Sequence, residues 1–158
     1  MILVTVGAQM PFPRLVAAVD DWAAKNPDVE VVAQISSQDP PPRHLAHVDL
    51  LSPDELRARI AEAEVVVAHA GMGTIITCLE LGTPLIVLAR EGKRRETRND
   101  HQRATVDHFG TKPGIWAADD TEHLARLLDE RDRLRVVTTE APATSAPLLE
   151  TIRRFIDA

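Results

Sequence analysis

Tyrosine is absent from this 158-residue chain, and aromatic residues make up only 3% of it. Platforms that stack nucleic-acid bases are built from such rings, so a base-stacking role is excluded. Cysteine occurs once, at Cys78, which cannot form an internal disulfide and points to a reducing compartment. No apolar run approaches the roughly 18 residues that a membrane-spanning helix needs. The opening stretch, Met1-Ile2-Leu3-Val4-Thr5-Val6-Gly7, has no basic region ahead of it and reads as a buried strand, not a signal peptide. Positive charge is scarce too: 18 Lys and Arg against 24 Asp and Glu leave a net charge of −6. Nucleic acid is thereby excluded as the main partner, since phosphate backbones demand a basic face. The one basic run, Lys93-Arg94-Arg95 with Arg98, is too short to reverse that.

What is present suits an ordinary globular protein. Hydrophobic residues make up 44% and charged residues 27%. The length fits one domain, residues 1–158, able to bury a core without disulfides or structural metal. Apolar, β-branched runs at Ile2 to Val6, Val29 to Ile35, Val65 to Ala68, Leu85 to Leu88 and Ile115 to Ala117 predict strands. Val48 to Leu51 is a further short apolar run. Helical spacing of Leu15, Val16, Val19, Trp22 and Ala23 predicts a helix after Pro11 and Pro13. Ser52-Pro53-Asp54-Glu55 reads as a cap, a first-turn proline and acids at a helix start. Further helices are expected from about Thr74 to Leu81, closed by Gly82, and over residues 100–109, 121–131 and 146–156. Ser36 to Arg43, with three consecutive prolines, is loop, as are residues 91–99 and 138–145. Strands alternating with helices predict a Rossmann-like α/β fold: a mainly parallel sheet with helices on both faces.

Parallel sheets bind ligands at the carboxyl ends of their strands. Two such ends carry small-residue turns here: Val6-Gly7-Ala8-Gln9 and His69-Ala70-Gly71-Met72-Gly73-Thr74. Glycine lets backbone approach a ligand, and a new helix presents unpaired N–H groups and a partial positive charge, so phosphate is the natural guest. Thr74 adds a hydroxyl donor. Alternatively, Gly71 and Gly73 only permit close strand–helix packing. Neither a P-loop nor a full dinucleotide fingerprint is present. Arg98-Asn99-Asp100-His101-Gln102 supplies groups that can fix sugar hydroxyls, or simply starts a helix. His69 can serve as a base, a phosphate donor or a group that fixes its own loop. None of the six histidines forms a metal-ligand spacing, and no metal is expected. Cys78, on the apolar face of a helix, is expected to be a buried thiol. Glu80 and Glu91 are expected to be solvated or to support loops.

Taken together, these pieces resemble glycosyltransferase family 28, in its C-terminal, UDP-sugar-binding domain. The H-A-G-x-G-S/T turn at His69–Thr74, the L-G-x-P strand start at Leu81–Pro84 and the D-H-Q segment at Asp100–Gln102 occur in the family's order, and the likeness runs over roughly residues 1–130. Free-standing domains of this family look like the catalytic subunits of two-part transferases, in bacterial exopolysaccharide synthesis and in eukaryotic dolichol-linked GlcNAc transfer. The resemblance implies the C-terminal half of a GT-B fold and an inverting transferase with UDP-sugar as substrate and no cofactor. It implies a membrane-anchored second subunit, a lipid-linked or polysaccharide acceptor, and a cytoplasmic location at the membrane's inner face. By position, Gly7, Ala8, Gln9, Gly71, Met72, Gly73 and Thr74 would hold the diphosphate. Leu51 and Ser52 would frame uracil with backbone groups, and Arg98, Asp100, His101 and Gln102 would reach the donor sugar. The chain departs from the pattern at Thr77, where many relatives carry an acid that binds ribose; threonine offers one hydroxyl and no charge.

The catalytic base is not evident and is expected on the partner. Arg90, Lys93, Arg94, Arg95 and Arg98 form a basic loop that either reads the carboxylate of a UDP-glucuronate donor or docks on the partner or on acidic lipid; otherwise the donor is UDP-GlcNAc. Competing readings are a non-catalytic nucleotide-sugar-binding regulatory subunit, a sugar-nucleotide epimerase, against which the length speaks, and an α/β interaction module with structural glycines.

Overall fold

A computed structural model describes residues 1–97 and 101–134, with only the backbone of His101. The expected helix over residues 146–156 and loop over 138–145 lie outside the described residues, as do Arg98, Asn99 and Asp100. Six strands form one sheet: β1 (Ile2–Thr5), β2 (Val31–Gln34), β3 (Ala46–Val48), β4 (Val65–His69), β5 (Leu85–Leu88) and β6 (Ile115–Ala118). All described pairings are parallel, in the order β3-β2-β1-β4-β5-β6. Continuous apolar runs are what strands covered on both faces require. Ile2, Val4, Val65, Val67, Ile86 and Leu88 pack in one core layer with α1 (Pro13–Ala23) and α5 (Thr121–Asp129). Their neighbours Leu3, Val66, Ala68, Leu85 and Val87 face the other way, toward α2 (Pro53–Glu62), α3 (Met72–Leu81) and α4 (His101–Phe109).

Local chemistry explains most boundaries. Ser52 and Glu55 form a reciprocal capping box at α2, with Pro53 at the first helical position. Gly82 closes α3 in the left-handed region at φ 69°. Helix α3 starts at Met72, two residues before the expected Thr74, so both glycine positions sit in its opening turn. The edge strand β3 is mostly exposed, and Leu50 and Leu51 from the neighbouring apolar run lie beyond it. Residues 91–97 are loop as expected, apart from a short 3₁₀ turn at Gly92–Arg94.

Two buried carboxylates fasten loops to α1 from a distance. Phe12 caps this helix without a side-chain oxygen, and its N–H donates instead to Asp39 Oδ1 at 2.7 Å. Asp20 accepts from the N–H of His44 at 2.7 Å and from that of Arg43 at 3.0 Å, and meets the His44 ring at 3.3 Å. Burial pulls the Asp20 pKa upward, but these hydrogen bonds outweigh it and hold the carboxyl below its usual range. Asp20→Ala leaves those donors unpaired and is expected to cost about 1–3 kcal/mol, measured by urea unfolding.

Candidate functional site

The chain order makes β1 and β4 neighbours whose connections leave in opposite directions, and a crevice opens at such a switch point. A cleft of about 590 Å³ lies there, a volume suited to a nucleotide-sized ligand. Both sequence-predicted turns line it, the first through Gly7, Ala8 and Gln9 and the second through Gly71, Gly73 and Thr74.

The first turn is built on a buried polar network. Thr5 Oγ1 donates to Gln34 Oε1 at 2.7 Å and accepts from the Gly7 N–H at 3.2 Å, while Gln34 Nε2 donates to the Gly7 carbonyl at 3.3 Å. Gly7 sits at φ 81°, a left-handed conformation that favours glycine. Arg90 Nη2 donates to the carbonyls of Val6 at 2.7 Å and Met10 at 2.6 Å. Among the described residues the N–H groups of Ala8 and Gln9 have no hydrogen-bond partner. The second turn ends β4: the Gly71 N–H donates to the His69 carbonyl, and Ile75 is the first residue of α3 to close a helical bond, back to Gly71. The N–H groups of Met72, Gly73 and Thr74 therefore have no partner among the described residues, at the positive end of the helix dipole. Met72, expected to hold the diphosphate, is exposed and is not among the residues that line the cleft.

His69 stands between the turns. A Cβ on Gly7 would lie 2.5 Å from its Cε1, and one on Gly71 2.3 Å from its Nε2, so the ring occupies the space that both glycines leave. Its Nδ1 is buried without a hydrogen bond of full geometry. Burial, then the nearby Arg90 cation, push its pKa down to about 4, with the Thr5 backbone opposing weakly. Neutral His69 is therefore the form present near pH 7. Gly73 differs from the other two glycines: nothing lies within 4 Å of a Cβ built there, and its φ is not left-handed. Packing accounts for Gly71, and it leaves Gly73 without a structural reason.

At one end of the cleft Gln102 lines the wall, its Oε1 accepting from the Arg90 N–H at 3.1 Å. His101 begins α4 beside it, and Arg98 and Asp100 lie outside the described residues. At the other end are Leu50, Leu51, Pro53, Leu56 and Ile60, with Thr77 across from α3. Thr77 Oγ1 donates to the Gly73 carbonyl at 2.9 Å, so toward the cleft it offers acceptor lone pairs. Ser52 does not line the cleft. Its N–H goes to Glu55 and its carbonyl to Leu56, so its backbone groups are taken by its own helix.

The basic loop divides. Arg90 is only 4% exposed and faces the cleft, whereas Lys93 and Arg94 pair with Glu91 at 3.0 and 3.2 Å, and neither they nor Arg95 line it. Glu91 thus supports its loop, and Glu80 pairs with Arg57 on the surface at 2.8 Å. Cys78 is buried, and burial pushes its thiol up to about 12, which removes it as a nucleophile. Sequence reasoning missed Gln34 as the support of the first turn. A polar side chain ending an otherwise apolar strand was the available signal.

Strand order, helices on both faces and a cleft at the switch point define a Rossmann-like domain of the kind that makes up the C-terminal half of a GT-B glycosyltransferase. The chain belongs to the family described as the glycosyltransferase family 28 C-terminal domain, whose model it matches over residues 1–143. It is 31% identical over 70 residues to the UDP-N-acetylglucosamine transferase subunit ALG13 of Kluyveromyces lactis, a match covering 44% of this chain and 34% of that protein, about a third of the relative's length. A solution structure of ALG13 superposes with a TM-score of 0.59 at 21% identity, covering 96% of this chain and 93% of that one. MurG of Acinetobacter baumannii gives a TM-score of 0.64 at 16% identity, over 96% of this chain and 49% of that one. UDP-GlcNAc 2-epimerase of Neisseria meningitidis, bound to UDP-GlcNAc, gives 0.65 at 11% identity, over 97% and 44%. At these identities the solved structures show a shared fold.

Two outcomes follow from the glycine and histidine geometry. Gly71→Ala is expected to lower the melting temperature, whereas Gly73→Ala should leave it unchanged or raise it, alanine being the better helix former by up to about 1 kcal/mol. Between pH about 6.5 and 4 the unfolded chain binds a proton at His69 that the folded chain refuses, so His69 makes stability fall with pH across that window, by about 3 kcal/mol in all. In NMR titration the His69 ring signals should stay constant from pH 8 down to 5.5.

Proposed function

We propose that this chain is the donor-binding subunit of an inverting, metal-independent UDP-sugar glycosyltransferase, and that residues 1–158 form one UDP-sugar-binding domain. The observation that carries this reading is that Ala8, Gln9, Gly73 and Thr74, whose N–H groups have no partner among the described residues, line one cleft at the sheet's switch point. Two rows of unpaired donors, one at a helix N-terminus, suit a diphosphate. Leu51 and its apolar neighbours suit the uracil end, Thr77 can accept from a ribose hydroxyl, and Gln102 Nε2, without a partner among the described residues, can donate to the sugar.

The donor proposed is UDP-GlcNAc. Two described cations line the cleft, and both are engaged, Arg90 by the carbonyls of Val6 and Met10 and Arg57 by Glu80 at 2.8 Å, which leaves no unpaired described cation there for a glucuronate carboxylate. The likeness to a UDP-N-acetylglucosamine transferase subunit supports the same choice.

In the reaction, the acceptor hydroxyl attacks the anomeric carbon on the face opposite the diphosphate, the bond from that carbon to the diphosphate oxygen breaks, and UDP departs. The turn amides and the α3 dipole stabilise the charge that grows on the leaving oxygens. The described lining contains no carboxylate, and its one imidazole is wedged between glycines. The base and the acceptor pocket are therefore assigned to a second, membrane-associated subunit, with a lipid-linked or polysaccharide acceptor. Three large apolar side chains exposed among the described residues, Leu50, Met72 and Ile76, support a covering partner: Leu50 lines the cleft, and the other two stand on α3 at its edge. No described helix is long and apolar enough to cross a membrane, so attachment through the partner is proposed.

Calorimetry and thermal shift test this reading. UDP at 100 times its Kd should stabilise the chain by about 2.7 kcal/mol, and Gly73→Val should weaken UDP binding at unchanged stability. UDP-GlcNAc should bind at least as tightly as UDP-glucuronate, and a clear preference for glucuronate would overturn the donor assignment. Sugar transfer should appear only when the partner is added. Binding without transfer under any partner would mark a regulatory subunit instead.

A further inference from the structure

Residues 6–12 carry no regular secondary structure, yet their conformation decides which way the first turn's amides point. Arg90 touches this segment at three places. Its Nη2 binds the carbonyls of Val6 and Met10, on either side of Gly7-Ala8-Gln9, and its guanidinium lies 5.1 Å from the centre of the fully buried Phe12 ring. Holding the carbonyls of Val6 and Met10 fixes both ends of the Gly7-Ala8-Gln9 stretch, and with them where its N–H groups stand. The same residue reaches the other end of the site, because its backbone N–H donates to Gln102 Oε1 and so leaves the Gln102 amide protons for a ligand. Burying a guanidinium costs free energy unless it is paired. Here Asp39 and Glu96 offset that cost electrostatically, while Nε stays buried without a partner.

We propose that Arg90 is a positioning residue that holds the diphosphate end and the sugar end of the donor cleft in register, its side chain turning the 6–10 segment and its backbone orienting Gln102. This rests on the reading of the cleft as a UDP-sugar site. Arginine is required because one nitrogen must donate two protons to two carbonyls while the planar group stays over Phe12. Lysine's compact ammonium keeps the charge but not that geometry.

Nitrogen-15 NMR of the full chain with UDP and UDP-GlcNAc, combined with calorimetry on Arg90→Lys, tests the assignment. In the wild type, UDP should shift the Arg90 Nε–H signal together with the amides of Ala8, Gln9 and Gly73, and UDP-GlcNAc should also shift the Gln102 side-chain amide. Arg90→Lys should bind UDP about tenfold more weakly, while the difference in affinity between UDP-GlcNAc and UDP should be kept, because the backbone N–H that orients Gln102 is unchanged. The inference is overturned if UDP moves Gly73 while Arg90 Nε, Ala8 and Gln9 stay put, or if Arg90→Lys binds UDP like the wild type. Should Arg90→Lys fail to fold, the wild-type spectra decide alone. If UDP moves nothing, Gly73 included, the donor-site reading itself fails and this inference falls with it.

Discussion

Between the ends of β1 and β4 lies the ring of His69, and the spacing of the two glycine turns depends on it. Gly7 and Gly71 have no side chains because the imidazole occupies that space. Any Cβ on either would collide with the ring or push the turns apart. A ring held there is shielded from water and lies near a buried cation, so it stays neutral. The histidine of the H-A-G motif is thus at least a spacer. Its contribution to the cleft is to set where the backbone N–H groups stand, which a proton on the ring would disturb.

The same economy of backbone runs through the first turn. Thr5, Gln34 and Arg90 bind the backbone of Val6, Gly7 and Met10, and Asp39 takes the Phe12 N–H. Every one of these side chains is at least nine-tenths buried, which makes an unpaired polar atom among them costly and gives the segment a defined shape without regular structure. Within it, the amides of Ala8 and Gln9 have no hydrogen-bond partner among the described residues. Beside them, α3 adds three more such N–H groups and its dipole. The cleft therefore presents backbone N–H groups from both turns, with Gln102 at one end and Thr77 and the apolar residues around Leu51 at the other.

Much of the fold is legible in the residues. The strands β1, β4 and β5 are continuous apolar runs because both their faces are covered, and α2 announces itself through Ser52, Pro53 and Glu55. The strand β3 is not legible: Ala46-His47-Val48 is three residues long and mostly exposed at the sheet's edge, so no apolar pattern selects it. Of the candidate site, the two turns were readable from glycine placed between a strand and a helix. The individual roles were not. Gly71 and Gly73 look alike in a motif, yet one makes room for His69 and the other faces open space. Ser52 looks like a ligand-facing residue, but its helix uses its hydrogen-bonding groups. Arg90 reads as part of a basic surface loop, and charge alone gives no hint that it is buried against Phe12.

By itself, then, the sequence determined the alternation of strands and helices, the caps, the two glycine turns and the likeness to glycosyltransferase family 28. Those features are written in short-range terms: hydrophobic period, capping chemistry and turn residues a few positions apart. Tertiary structure alone decided that residues 7–9 and 71–74 share one cleft, that His69 fills the gap between them, and that Arg90 shapes a turn far away in the chain. The physical reason is that these contacts exist only once β1 pairs with β4 and β5 pairs with β4, and strand pairing across long loops leaves no local pattern in the residues that take part.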